Sequence, residues 1–232
     1  MTMADDAAAR IRGWLHDGTI GRDRFHSVPQ MAERLGMSRS PVREGLLRLA
    51  EAGLVEFVPQ RGFRPVRPTG QDIAEIFALR IALEPAAAAR AANAGSAAVA
   101  AELRRHLAEM RAAARADAAG FDAADEQLHA AILDRAGNGR LTGLIAGLRD
   151  TTRLIGASTA GRSRSRHEIL AEHEPIVDAI SAGDQERAAA EMRRHLLSTG
   201  RLLVAQAHDD GDENAWSCWE SLVESTAEAR RV

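Results

Sequence analysis

The sequence contains no lysine or tyrosine, only one cysteine and few aromatic residues (3%). A lone cysteine, Cys218, excludes an internal disulfide framework and fits a reducing compartment. The chain also lacks the run of roughly 18 apolar residues that a membrane helix needs, and its N-terminus lacks a signal-peptide core. These absences predict a cytoplasmic protein with no membrane partner. Because every basic residue is arginine, the choice of arginine over lysine carries little functional information.

The charge is unevenly divided along the 232 residues, which are enough for two modest domains. Residues 1–68 hold 11 arginines against 8 acidic residues, a net charge of +3. Residues 69–232 hold 19 arginines against 25 acidic residues, a net charge of −6. A basic N-terminal part on an acidic body is consistent with one nucleic-acid-binding end.

The most informative stretch is residues 37–67, MSRSPVREGLLRLAEAGLVEFVPQRGFRPVR. A turn after Gly36 leads into a short helix, and Gly53 ends that helix. Two β-like segments follow on either side of an Arg-Gly tip. The pattern predicts a winged helix-turn-helix over residues 1–68, whose second helix would lie in the major groove of DNA. The candidate DNA-binding residues are Arg39, Ser40, Arg43, Arg48, Arg61 and Gly62, although Arg48 equally fits a solvent-exposed role.

From residue 69 onward the periodicity predicts helices only, beginning at a capping box formed by Thr69 and Asp72. Further helices are expected near residues 96–116, 119–136, 140–158, 165–182 and 184–208. The fold class is therefore mainly α: the winged domain plus an all-helical bundle of six or seven helices over residues 69–232. The tail after residue 207 is expected to form one more helix or a dimer arm.

The N-terminal segment SRSPVREGLLRLAEAGLVEFVPQRGFRPV resembles the DNA-binding domain of GntR-type bacterial regulators. The resemblance implies that Arg39 and Arg43 read the operator and that Arg61 and Gly62 form the wing contact. This sequence departs from the family pattern at Gly45, where alanine is usual, and at Pro29, where a polar residue is common.

One acidic residue and three histidines in the helical part suggest a metal site. Asp125 and His129 are four residues apart and share a helix face. His173 and His195 lie on the apolar faces of two later helices. Burying these polar groups is costly unless something pairs them, and a divalent Zn, Ni, Mn or Fe ion would do so. The alternative is that each is an isolated polar residue near a helix surface.

The helical part is similar to the ligand-binding domain of the FadR subfamily of GntR regulators, through the segments IFALRIALEPAAAARAA, DEQLHAAILDRAGNGRL and EHEPIVDAISAGDQERAAAEMRRHL. The resemblance implies that Asp125, His129, His173 and His195 ligate one metal and that a small carboxylate effector completes its coordination. Candidate effector contacts are Arg80, Arg149 and Arg153; Arg80 could equally pair with Glu84, four residues further on.

The predicted function is that of a transcriptional regulator, expected to be a repressor, that binds a palindromic operator as a homodimer. A small organic acid bound at the metal would control operator affinity, with residues 65–69 as the transmitting linker. Two alternatives remain at this stage: a metal-dependent enzyme in the helical bundle, and an architectural DNA-binding protein that needs no effector.

Overall fold

The computed structural model describes residues 2–16, 19–21, 24–66, 69–116, 118–154 and 159–224. The chain divides into two compact units. The first unit comprises residues 1–68 together with 150–157, and the second comprises residues 69–149 together with 158–232. No helix in the described ranges is long and apolar enough to cross a membrane.

Three helices and a two-stranded wing form the N-terminal unit, in the order α1 (Met3–His16), α2 (Val28–Leu35), α3 (Arg39–Glu51), β1 (Val55–Val58) and β2 (Gly62–Pro65). Ser27 caps α2 through its hydroxyl, and Gly36 ends it in the left-handed region (φ 66°), as the sequence predicted. Leu15, Leu46 and Phe63 lie in the buried core of this unit. The winged helix-turn-helix is confirmed.

The wing is an antiparallel pair in which Phe57 lies opposite Phe63 and Val58 lies opposite Gly62. Backbone hydrogen bonds also join His26 to Phe63 in both directions, at 2.7 and 2.8 Å. Gly62 is required at this crossing because a Cβ there would lie 2.1 Å from the His26 carbonyl oxygen. The segment before α2 therefore braces the outer strand of the wing.

In the described residues, the regular structure of the second unit consists of helices, with an isolated bridge between Ala160 and Arg164. The helix bounds lie close to the predicted ones. Its long helices are α4 (Gly70–Asn93), α5 (Ala97–Ala116), α6 (Ala118–Arg135), α7 (Gly139–Leu154), α8 (Arg166–Ser181) and α9 (Gln185–Asp209). The capping box predicted at Thr69 and Asp72 is present, and Ser165 with Glu168 forms a second one at the start of α8. For the helix predicted over 140–158, residues 155–158 lie outside the described ranges.

The C-terminal tail forms α10 (Ala215–Trp219) and a π-helical turn (Glu220–Glu224). Trp219 is fully buried against Phe77 of α4, with the ring centroids 6.2 Å apart. Gly200 of α9 makes room for this indole, since a Cβ there would lie 2.3 Å from its ring. The additional helix expected as one role of the tail is present, and the Trp219 indole belongs to the core of this unit. The dimer arm stays a prediction.

Candidate metal centre and DNA-binding face

Three helices of the second unit bring His129, His173 and His195 together. Each histidine offers a ring nitrogen, and the three nitrogens lie within 4.8 Å of one another. All three side chains are buried. His129 comes from α6, His173 from α8 and His195 from α9, so the cluster depends on how three separate helices are arranged in the bundle.

Asp125 lies one turn before His129 on α6 and joins the same cluster. Its Oδ1 is 3.0 Å from Nε2 of His173 and 3.9 Å from Nε2 of His129. Its other oxygen, Oδ2, accepts a hydrogen bond of 2.5 Å from Nη2 of Arg149 on α7. Arg149 thus holds the carboxylate so that one oxygen faces the histidines. All four residues predicted as metal ligands are therefore neighbours.

The second nitrogen of each histidine faces an oxygen outside the cluster. Nδ1 of His173 donates to the Ile169 carbonyl at 2.7 Å, and Nδ1 of His195 lies 2.9 Å from Oε2 of Glu172. Nδ1 of His129 lies 3.4 Å from Oε2 of Glu84, and neither of these two atoms has a hydrogen-bond partner among the described residues. Such outer oxygens are the usual supports of metal-binding histidines because they fix the tautomer and the ring orientation.

Electrostatics keep two of the imidazoles neutral. Burial, reinforced by the nearby Arg149, lowers the pKa of His129 to about 3. Burial and the neighbouring His173 lower the pKa of His195 to about 4. Burial alone would raise the pKa of Asp125, but the Arg149 guanidinium, together with the hydrogen bond to His173 and smaller contributions from the two histidines, holds that pKa well below its usual range. At neutral pH the imidazoles of His129 and His195 are thus uncharged and Asp125 is ionised, which are the protonation states that bind a metal.

The donor set fits a divalent cation. Because the Ile169 carbonyl only accepts, Nδ1 of His173 carries a proton, and a neutral ring then has a lone pair on Nε2. That lone pair faces Oδ1 of Asp125 at 3.0 Å and Nε2 of His129 at 3.0 Å. The contact with Asp125 places two acceptors side by side, and a metal ion bound between them would accept both lone pairs. Three imidazoles and one carboxylate suit Zn, Ni, Mn or Fe.

The candidate effector arginines have different surroundings. Arg80 is buried, donates from Nε to Glu84 at 2.6 Å and lies over the ring of Phe77. The pairing with Glu84, one of its two expected roles, is therefore present. Arg149 pairs with Asp125 beside the histidines. The side chain of Arg153 lies outside the described part of the chain. Contact of these arginines with an effector stays a prediction.

On the N-terminal unit, Arg39, Ser40 and Arg43 are exposed at the start of α3, and Arg61 is exposed at the tip of the wing. In the described part of the chain no carboxylate lies within ion-pair distance of these three arginines. Arg48, by contrast, pairs with Asp5 of α1 and, at 2.6 Å, with Glu44. Its guanidinium is therefore engaged within the unit, which favours the alternative considered for it over contact with DNA.

Sequence reasoning missed three residues around the cluster. Glu84 was considered only as a partner of Arg80, and Glu172 was not singled out although it precedes His173 directly. Arg164 is largely buried and binds Glu172, Thr159 and Thr199. Their roles depend on which helices are neighbours, and only the adjacency of Glu172 to His173 was visible in the sequence.

Comparison with known proteins is consistent with both units. The chain matches the FCD domain over residues 75–198 and the family described as bacterial regulatory proteins, gntR family, over residues 3–64. The "Probable D-xylose utilization operon transcriptional repressor" of Paenarthrobacter nicotinovorans is 32% identical over 196 residues, which are 80% of each chain. The chain belongs to the GntR family. Its helical unit is of the FCD type found in the FadR-like branch.

Two further proteins are similar to this GntR-family chain. An uncharacterized HTH-type transcriptional regulator of Agrobacterium vitis is 43% identical over 104 residues, which are 43% of this chain and 61% of that protein. The solved structure of Escherichia coli McbR/YncC superposes with a TM-score of 0.72 at 22% identity, covering 89% of this chain and 99% of the other. Family and fold are those of transcription regulators and not of enzymes, so the enzymatic alternative is set aside.

Proposed function

We propose that this GntR-family regulator is a repressor whose affinity for its operator is controlled by a small organic acid bound at a metal ion in the FCD unit. The observation that carries the proposal is the convergence of His129, His173 and His195 beside Asp125. The outer nitrogens of the three histidines all face oxygens, so their inner nitrogens remain for a metal.

Asp125, His129, His173 and His195 would hold the ion. A divalent metal bound there supplies positive charge and open coordination positions for oxygen ligands, which suits a carboxylate. Arg149 holds Asp125 in place and Glu172 orients His195, while Glu84 places a carboxylate 3.4 Å from Nδ1 of His129. Arg80, Arg149 and Arg153 are the proposed contacts for the acid, because arginine binds carboxylates through paired N–H donors.

The DNA-binding half of the proposal rests on three arginines that have no carboxylate within ion-pair distance among the described residues. Arg39 and Arg43 project from the start of α3, where helix-turn-helix proteins contact base edges, with Ser40 between them. Arg61 and Gly62 form the wing contact. A homodimer would present two such helices to a palindromic operator. We exclude Arg48 from this set because its guanidinium is paired with Asp5 of α1 and with Glu44 on its own helix.

Control of operator affinity requires that the acid bind more tightly to one functional state than to the other. The coupling is reciprocal, so operator DNA must change the affinity for the acid by the same factor. We propose residues 65–69, which join the two parts of the chain, as the route of coupling.

The test measures DNA affinity with the metal site intact and disabled. An operator duplex is first selected from a random pool with the metal-loaded protein. Affinity is then measured with metal-free protein, metal-loaded protein, and metal-loaded protein plus a panel of hydroxy, sugar and dicarboxylic acids. We expect at least one acid to change the affinity about 5- to 150-fold in the native protein and to have no effect in the His129→Ala, His195→Ala double variant.

Equal DNA affinity across the whole panel would contradict effector control. If the protein also bound no metal, the remaining interpretation would be an architectural DNA-binding protein with an inert helical unit. Circular dichroism and a DNA titration of the double variant at low salt serve as the control, because its N-terminal unit is unchanged.

A further inference from the structure

The wing tip presents Arg61 from a rigid turn. Its backbone N–H donates to the Val58 carbonyl at 3.1 Å and closes a four-residue turn. Pro59 fixes the second position, and Gln60 at the third has a φ of 64°. Proline followed by a positive φ defines a type II turn. The backbone that carries Arg61 is therefore restrained on both sides, since the next residue, Gly62, packs directly on the His26 carbonyl.

An aromatic ring from outside the wing lies under this arginine. The Cζ atom of Arg61 lies 4.5 Å from the centroid of the Phe25 ring. Phe25 is held in place by its neighbour His26, whose backbone is hydrogen-bonded in both directions to Phe63. The Nε2 atom of His26 also lies 2.7 Å from the Gly21 carbonyl. Backbone pairing with the outer strand of the wing thus determines where the ring lies.

A second arginine shares the ring but differs in its charge environment. Cζ of Arg64 lies 5.7 Å from the centroid of the Phe25 ring, and the Arg64 guanidinium is paired with Glu56 on the facing strand. Arg61 has no such carboxylate in the described ranges. The ring contacts the flat face of a guanidinium and leaves the N–H donors at the edge of the guanidinium unused. A carboxylate would instead accept hydrogen bonds from those donors.

We propose that Phe25 is a positioning residue for DNA binding: its ring holds the Arg61 guanidinium at the wing tip with its N–H donors directed to the phosphate backbone. The inference rests on the proposed wing contact. An unrestrained arginine loses side-chain entropy when it is fixed. Contact with the ring restricts the side chain before DNA arrives, so less of this cost falls on binding.

The experiment is a double-mutant cycle on a mixed-sequence 30-base-pair duplex, whose phosphate contacts do not depend on knowing the operator. The variants are Phe25→Leu, Phe25→Trp, Arg61→Ala and the combination of Phe25→Leu with Arg61→Ala. Affinity is measured over a range of salt concentrations. For Arg61→Ala we expect weaker binding and a salt slope reduced by about 1, corresponding to one lost phosphate contact.

For Phe25→Leu we expect binding about two- to five-fold weaker, and for Phe25→Trp we expect affinity close to that of the native protein. In the Arg61→Ala background, Phe25→Leu should cause no further loss, because the ring would then have no guanidinium to position. Thermal unfolding of each variant checks the fold, and Phe25→Met replaces the leucine variant if that one unfolds.

Two results would overturn the proposal in different ways. In the first, Arg61→Ala weakens binding, but Phe25→Leu either has no effect or weakens binding equally with and without Arg61. The ring then has no positioning role, while the wing contact stands. If Arg61→Ala leaves both affinity and salt slope unchanged, the wing contact itself is wrong, and the positioning role falls with it.

Discussion

Glu172 is not one of the proposed metal ligands, but it contacts His195 and joins it to two further polar side chains, Arg164 and Ser198. One oxygen lies 2.9 Å from Nδ1 of His195 and is also bound by Arg164. The other accepts from the hydroxyl of Ser198 at 2.8 Å. Burial raises the pKa of Glu172, but hydrogen bonds from His195 and Arg164 outweigh it and lower the pKa to about 2. The carboxylate is therefore ionised and orients His195.

We expect Glu172→Ala to weaken metal binding by about 10- to 100-fold, because His195 loses the acceptor that fixes its tautomer. Glu172→Gln keeps an acceptor and should lose less. The matched control is Glu174→Gln, on the same helix but exposed and paired with Arg111. Competition titration against a chromogenic chelator measures the affinities. Equal metal affinity in Glu172→Ala and the native protein would exclude this role.

The buried histidines should also make the metal-free protein acid-sensitive. Burial lowers the pKa of His129 to about 3 and of His195 to about 4, against 6.5 for a free histidine. Between pH 6.5 and about 4 the unfolded chain binds protons at these rings and the folded chain does not. The free energy of unfolding therefore falls as the pH decreases, by about 2 kcal/mol per histidine between pH 7 and 5.

Urea unfolding of chelator-treated protein at pH 7 and pH 5 measures this loss. The comparison is the His129→Gln, His195→Gln double variant, which has no imidazole at either position and should lose markedly less stability. The range from pH 5 to pH 7 lies above the pH at which Glu172 gains a proton in the folded protein, so protonation of this carboxylate does not obscure the result. An equal loss in both proteins would contradict the assignment.

At the level of single elements, the departure from the family pattern at Gly45 has a structural reason. A Cβ on Gly45 of α3 would lie 2.9 Å from the Ala8 nitrogen and 3.0 Å from the Ala4 carbonyl oxygen of α1. The backbone of α3 therefore packs closely against the backbone of α1 at this glycine. Gly13 of α1 is also helical, but a Cβ there would meet nothing within 4 Å.

These two glycines should respond to alanine with opposite signs. Gly13→Ala gains helix propensity and should stabilise the protein by about 0.5–1 kcal/mol. Gly45→Ala gains the same propensity but forces α1 away, and we expect a net destabilisation of about 1–3 kcal/mol. Denaturant unfolding measures both. Stabilisation by Gly45→Ala would contradict this prediction, because α1 would then move away without a loss of packing energy.

The C-terminal helix offers a second matched pair. Trp219 is fully buried between α4 and α9, whereas Trp216, three residues earlier on α10, is partly exposed. Trp219→Ala should destabilise the protein by about 3–5 kcal/mol through the cavity it leaves, and Trp216→Ala by much less. Similar unfolding free energies for the two variants would contradict the placement of the tail in the core.

Much of the fold could be predicted because local signals determine helix limits. The capping box at Thr69 and the left-handed Gly36 were readable as sequence, and both are present. The four candidate ligands could be chosen because each lies on an apolar helix face. Glu84 and Arg164 could not be assigned, because their contacts with the site depend on how α4 and the segment before α8 meet the other helices.

At the scale of the whole molecule, the chain combines a DNA-binding unit with a helical unit whose buried polar residues include three clustered histidines. The two units differ in charge as well as in chemistry, with a net +3 in residues 1–68 and −6 in residues 69–232. The metal proposal follows from the second unit alone, and the DNA-binding proposal from the first. The two can therefore be tested separately before their coupling is measured.

The most direct test of the central proposal is the metal content of the purified protein. Elemental analysis by mass spectrometry is made on protein isolated without chelator and without a metal-affinity column, beside the His129→Ala, His195→Ala double variant. We expect about one Zn, Ni, Mn or Fe ion per chain in the native protein and none in the variant. A folded native protein that holds no metal, even after incubation with these ions, would contradict the account.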